Sequence, residues 1–216
     1  MTEKQWYQFL YVPFAFVLRI LYPTKAYGRE NIPQDGGLFC ANHYSAIDPF
    51  LVGLALTRKI FVHAMAKDSL MHKPVIGTLL RLIGTCGIKR GESDIAAIKY
   101  ALEVLKNKEY MIMFPEGTRV KSREEGQPKT GAAMLALRTG CNVVPVYVPM
   151  KKRLFRVNRV YIGEAYKMIP EGKRATSADY ERCTTELMDK CEFFRDIPEN
   201  YLSVYEALWM DLKNTK

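Results

Sequence analysis

The sequence predicts an α/β fold: a central mixed, largely parallel sheet flanked by helices, with an N-terminal membrane-associating helical segment. Three observations carry this expectation. After Pro23, short apolar runs alternate with helix-period segments, the order that builds a sheet with helices packed on it. The 216 residues are 48% hydrophobic and 25% charged; this average balance fits one compact domain and excludes a disordered chain or a polytopic membrane protein. The greasiest stretch, WYQFLYVPFAFVLRILY from Trp6 to Tyr22, stands apart at the start of the chain.

A spanning helix needs about 20 mostly apolar residues, and Gln8, Pro13 and Arg19 interrupt this run. Lys4 is offset by Glu3 and no A-x-A-like site closes the run, so it does not have the form of a cleaved signal. As a helix it aligns Gln8, Tyr11, Ala15 and Arg19 on a narrow stripe, with Trp6, Phe9, Leu10, Phe14, Val17 and Leu21 across the rest. That wide apolar face suits monotopic attachment at headgroup depth; the alternative is a helix packed on the core. Pro13 lacks an N–H and should kink or divide the helix. A single boundary follows, separating an interfacial segment, 1–24, from an α/β domain, 25–216.

Within that domain the expected strands are Gly37–Ala41, Ile60–Ala66, Gly84–Lys89, Tyr110–Phe114, Val143–Val148 and Val157–Ile162, each a short apolar run. The expected helices are Pro49–Leu56, Pro74–Ile83, Asp94–Leu105 with Ser93 as N-cap, Gly131–Thr139 stopped by Gly140, Ala178–Arg195 and Tyr201–Lys213.

The net charge of +9 favours anionic partners such as nucleic acid, phospholipid or a phosphorylated substrate. Five scattered cysteines without a C-x-x-C pair argue for a reducing compartment and against a zinc or redox site. Only three histidines, His43, His63 and His72, are available as a base, and the last two stand isolated.

Two constellations carry chemistry. In NHYSAIDP, Asn42 to Pro49, His43 and Asp48 lie five residues apart at the end of the strand GLFCA, where open α/β sheets place their sites. The carboxylate can accept Nδ1–H and leave Nε2 free as a general base, with the activated hydroxyl belonging to a substrate. Ser45 is an alternative nucleophile, although no G-x-S-x-G elbow surrounds it. The plainer alternative is a turn histidine beside a helix-start carboxylate. In FPEGTR, Phe114 to Arg119, Gly117 permits a tight turn and Arg119 offers a planar fork for phosphate. Glu116 can bond substrate hydroxyls or orient a basic neighbour; in isolation the tripeptide would be a surface turn with an exposed salt bridge.

Weaker signals point the same way. GTCGIKRG puts Lys89 and Arg90 at another strand end without matching a phosphate-loop pattern. Lys129 and Gly131 precede a helix N-terminus, which favours an anion. The run KKRLFRVNR, Lys151 to Arg159, is either a patch for anionic headgroups or the charged face of a β-hairpin.

The joint order of these blocks resembles the glycerolipid acyltransferase family, specifically the 1-acyl-glycerol-3-phosphate (lysophosphatidic acid) acyltransferases. There N-H-x-S-x-x-D, G-x-x-x-[IV]-x-R, F-P-E-G-T-R and V-P-V follow one another, here ending in Val144-Pro145-Val146. The resemblance spans Asn42 to Val148; in its second block Cys86 and Gly87 stand where relatives often carry an aromatic. It implies His43 as base and Asp48 as its orienter, and it implies that Arg90, Glu116, Gly117, Thr118 and Arg119 hold the glycerol phosphate. Lys129 would assist them and Pro145 would help shape the acyl-donor region.

The resemblance further implies direct acyl transfer, without cofactor or metal, to the sn-2 hydroxyl of lysophosphatidic acid, giving phosphatidic acid in phospholipid biosynthesis. The co-substrate would be an acyl-CoA or acyl carrier protein thioester. Ser45 and Cys40 remain alternatives for a covalent acyl-enzyme. The implied setting is an anionic membrane surface on the cytoplasmic face, with monotopic or peripheral attachment. Another lysophospholipid, glycerol-3-phosphate or an amino-lipid is an alternative acceptor. A basic nucleic-acid-binding module would explain the charge but neither motif.

Overall fold

The computed structural model describes residues 1–89, 94–121 and 127–195. Its centre is a seven-stranded sheet whose strands are β1 (Thr24–Tyr27), β2 (Gly37–Ala41), β3 (Val62–Lys67), β4 (Thr85–Ile88), β5 (Tyr110–Met113), β6 (Val143–Tyr147) and β7 (Asn158–Ile162). Their spatial order is β1-β7-β6-β2-β5-β3-β4. From β6 to β4 every pairing is parallel, and the β6–β7 pairing is antiparallel. The sheet is therefore mixed and largely parallel, as expected.

Parallel strands need both faces covered, and β2 meets that demand with five buried residues, GLFCA. Phe39 and Ala41 face one core with Val144, Val146 and Ile112; Leu38 and Cys40 face the other with Met111 and Val143. On the first face lie α1 (Glu3–Leu21) and α2 (Asp48–Leu56). The second is covered by α5 (Ile95–Lys106), α6 (Gly131–Thr139) and α7 (Ser177–Glu192). The short α3 (Asp68–Met71) and α4 (Pro74–Leu82) connect β3 to β4.

The expected elements recur with adjusted ends. Gly84 has left the strand for a turn at φ +72°, and β3 runs one residue further, to Lys67. At the start of α5 the cap is Asp94, whose carboxylate accepts the Ala97 N–H at 3.1 Å; Ser93 lies outside the described residues, as does the expected helix Tyr201–Lys213. The boundary expected after residue 24 falls inside β1, a strand without a clear apolar pattern that pairs in parallel with β7.

Pro13 does not divide α1, which is one helix closed at its start by a reciprocal Thr2–Gln5 capping box. Its exposed position forfeits one backbone bond, while Ala15 and Leu18 pack into the core and the Tyr11 hydroxyl donates to Gly53 O at 3.4 Å. The narrow stripe of Gln8, Tyr11, Ala15 and Arg19 thus contains part of the buried contact. On the other side Phe9, Val12, Phe16, Val17 and Ile20 are exposed.

Candidate active site

The parallel strands end at one edge of the sheet, and β2 delivers the histidine there. Asn42, fully buried, continues the β2–β6 pairing through its side chain: Nδ2 donates to Val148 O at 2.7 Å and Oδ1 accepts Val148 N–H at 2.8 Å. With the strand end pinned in this way, His43 is the first residue to turn off the sheet. Its backbone is fixed twice, by the FPEGTR segment and by the residue after it, since His43 N–H donates to Glu116 Oε1 at 3.1 Å and His43 O accepts Val120 N–H at 3.0 Å. Its ring lies against Phe114, with centroids 4.3 Å apart.

The chain next turns back so that α2 begins at Asp48, where a carboxylate also complements the helix N-terminus. Asp48 Oδ2 is 3.2 Å from His43 Nδ1 and accepts the Tyr44 and Ser45 N–H groups at 2.7 and 2.6 Å. Asp48 Oδ1 is ion-paired with Lys152, from the β6–β7 connection. Burial alone would push this carboxyl up, but the hydrogen bond from His43, the Lys152 ammonium and the Ser45 amide hold it below its ordinary value. An ionised Asp48 selects the tautomer with Nδ1 protonated and Nε2 bare. The His43 side chain is 12% exposed and that of Asp48 is 0%, so the imidazole is accessible and the carboxylate is dry.

The FPEGTR turn is built as its glycine requires, with Gly117 at φ +66°. Thr118 and Arg119 are exposed beyond it, and the Lys129 side chain runs along Gly117 while its backbone N–H ties to Pro115 O at 2.7 Å. Glu116, by contrast, is buried and braces the His43 backbone. It also walls a cavity of about 230 Å³ shared with Tyr44, Val120 and Glu192 of α7. Pro145 is buried in β6 opposite Cys40, against Gly163, and acts on the site only through the strand. Arg90 lies outside the described residues.

Three participants escaped the sequence reading. Lys152 was one letter in a basic run and Asn42 reads as turn punctuation. Glu192 accepts the Tyr44 hydroxyl at 2.7 Å from a helix far along the chain. Of these, Asn42 alone carried a signal, as a polar residue ending a wholly apolar strand.

The covalent alternatives fare poorly in this geometry. Cys40 is fully buried and burial pushes its thiol well up, so little thiolate forms. Ser45 Oγ accepts the Ile47 N–H at 3.4 Å, within the turn itself.

A family model described as Acyltransferase matches residues 24–149, more than half of the chain. The chloroplastic 1-acyl-sn-glycerol-3-phosphate acyltransferase LPAT1 of Arabidopsis thaliana is 32% identical over 130 residues, 58% of this chain and 35% of that protein. The 1-acyl-sn-glycerol-3-phosphate acyltransferase of Bacillus subtilis is 29% identical over 140 residues, 64% of this chain and 69% of its own. This chain therefore spans about a third of the chloroplastic relatives and about two thirds of the Bacillus one. The crystal structure of the 1-acyl-sn-glycerophosphate (LPA) acyltransferase PlsC from Thermotoga maritima has the same fold: the TM-score is 0.64 at 24% identity, covering 90% of this chain and 80% of that one.

Burial pushes the Glu116 carboxyl up from its ordinary value, against the pull of backbone hydrogen bonds. The folded state then binds this proton more tightly than the unfolded chain, so stability falls as pH rises from the ordinary glutamate range through the raised value. Glu116→Gln keeps an oxygen for the His43 N–H and removes the charge. Its thermal melt should match wild type in acid and equal or exceed it at neutral pH, whereas Glu116→Ala should lose about 1–3 kcal/mol at both. A glutamine variant less stable than wild type at neutral pH would contradict the raised carboxyl, and an alanine variant as stable as wild type would contradict the bracing role.

Proposed function

The chain belongs to the acyltransferase family, and from that premise we propose that it moves a fatty acyl group from a thioester to the sn-2 hydroxyl of lysophosphatidic acid. The donor is acyl-CoA or acyl carrier protein and the product is phosphatidic acid. The observation that carries this reading is the contact of His43 Nδ1 with the buried Asp48, which leaves Nε2 bare at an accessible strand end. The names of the relatives support lysophosphatidic acid as the acceptor, and the two motifs left unexplained by nucleic-acid binding both fall within this site.

Nε2 of His43 takes the proton of the sn-2 hydroxyl as that oxygen attacks the thioester carbonyl carbon. The imidazolium that forms lies beside Asp48. When the tetrahedral intermediate collapses, the C–S bond breaks and the proton passes from His43 to the departing thiolate. Protons and electrons balance without a cofactor. The exposed Arg119, with its planar fork, holds the acceptor phosphate together with Arg90 and Lys129, at the rim where Thr118 and Gly117 shape the turn.

The protein meets its lipid acceptor at a membrane surface through the exposed face of α1. Phe155 N–H donates to Leu21 O at 2.7 Å, so the exposed Leu154, Phe155 and Val157 continue that apolar face. Lys151, Arg153 and Arg156 share the connection, and each basic charge near an anionic surface contributes about 1 kcal/mol. Among the described residues no helix is long and apolar enough to cross a membrane. Five cysteines without a disulfide suit the cytoplasmic face.

Two measurements check this reading. In an acyl-transfer assay with several lysophospholipid acceptors and both thioester donors, His43→Ala should lose about 10²-fold or more in kcat. Arg119→Lys should chiefly raise KM for lysophosphatidic acid, because charge is kept and the fork is lost. An undiminished rate without His43 would refute the base. Secondly, Phe16→Asp combined with Phe155→Asp should weaken binding to anionic phospholipid vesicles by about tenfold or more, given what burial of a phenylalanine contributes. Unchanged vesicle binding would remove this face from the membrane surface.

A further inference from the structure

The base and its orienting carboxylate would suffice for the chemistry above, yet the site buries a third charge. The Lys152 side chain is 7% exposed and that of its partner Asp48 is 0% exposed. Both charges are out of water, and a buried charge of either sign is costly without the other. The four contacts of Asp48 divide cleanly: Oδ2 serves the imidazole and two amides, while Oδ1 faces the ammonium. The Tyr44 ring adds a wall, its centroid 5.5 Å from Nζ. Lys152 is also held at its root. The connection that carries it is stitched by Asn158, which accepts Arg153 N–H at 2.8 Å and donates to Arg153 O and Arg156 O at 2.9 Å.

A base must start unprotonated, and an unanswered carboxylate beside an imidazole favours the protonated ring. Asp48 from α2 and Glu116 from the β5–α6 connection both approach His43, and Glu192 of α7 stands behind Tyr44. Arg195 answers Glu192 at 3.5 Å, and Arg119 and Lys129 lie on the exposed side of the Gly117 turn. Lys152 is the cation placed directly on the carboxylate that touches the ring.

We propose that Lys152 is a positioning residue for acyl transfer: its ammonium fixes the plane of the Asp48 carboxylate and offsets its charge, so that Asp48 orients His43 without holding a proton on it. The proposal rests on His43 being the base. Lys152 touches no reacting atom and acts through Asp48 alone.

The test is kcat/KM against pH for the full chain, with lysophosphatidic acid as acceptor and the thioester that wild type uses. Lys152→Met should move the acidic limb to higher pH by about one unit, the size expected when a neighbouring charge is lost. KM for the acceptor should stay within about twofold, because the charge lost changes the base and not the phosphate site, and Lys152→Arg should return the limb toward wild type. Because Lys152→Met strands a buried carboxylate, a second comparison uses proteins in which that charge is gone. Asp48→Asn and Asp48→Asn/Lys152→Met should share one rate and one limb, since Lys152 then has nothing to act through.

An unmoved limb with a uniformly scaled rate in Lys152→Met would overturn the proposal, as would a several-fold rise in acceptor KM. A double variant much slower than Asp48→Asn would do the same. Failure of the base reading itself would register elsewhere, as an undiminished rate in His43→Ala.

Discussion

One buried carboxylate organises this site. Asp48 receives an imidazole and two backbone amides from residues 43–45 and an ammonium from the distant Lys152. Charged hydrogen bonds in a dry setting are strong when complete and costly when broken. Loss of one partner from such a buried pair costs about 3–5 kcal/mol, so the turn after β2, the start of α2 and the β6–β7 connection are held to one arrangement. The imidazole inherits that rigidity, and a ring that keeps one tautomer and one direction is the outcome.

The sheet supplies the frame for this arrangement. Parallel pairing from β6 to β4 brings the strand ends to one edge, and two side chains then replace backbone where the ladder stops. Asn42 joins β2 to the end of β6, and Glu116 joins the β5 loop to the His43 amide. Both are polar residues buried for a structural purpose within motifs that otherwise read as chemistry. The division within FPEGTR follows from exposure: Glu116 faces inward to brace, while Arg119 faces outward toward solvent.

The frame was legible where burial shapes composition. GLFCA could only be a strand covered on both faces, and Gly140 stopped α6 where expected, at φ +63°. The His43–Asp48 pair was legible because the contact is local, spanning one turn. What escaped depends on distant chain. Lys152 reads the same in KKRLFRVNR whether it meets water or Asp48, and only the return of β6 beside β2 decides. TKAY carries no apolar alternation because β1 needs only β7 beside it. The periodicity of α1 identified a wide apolar face correctly but could not tell which stripe would meet the core. Arg90 and the final expected helix fall outside the described residues.

The central claim is that Asp48 fixes the His43 tautomer, and nitrogen-15 NMR of the histidine-labelled full chain reads this directly. The account predicts a neutral His43 with Nδ1 protonated and Nε2 bare, and loss of that fixed tautomer in Asp48→Asn. A wild-type His43 carrying its proton on Nε2, or exchanging freely between the two nitrogens, would contradict it.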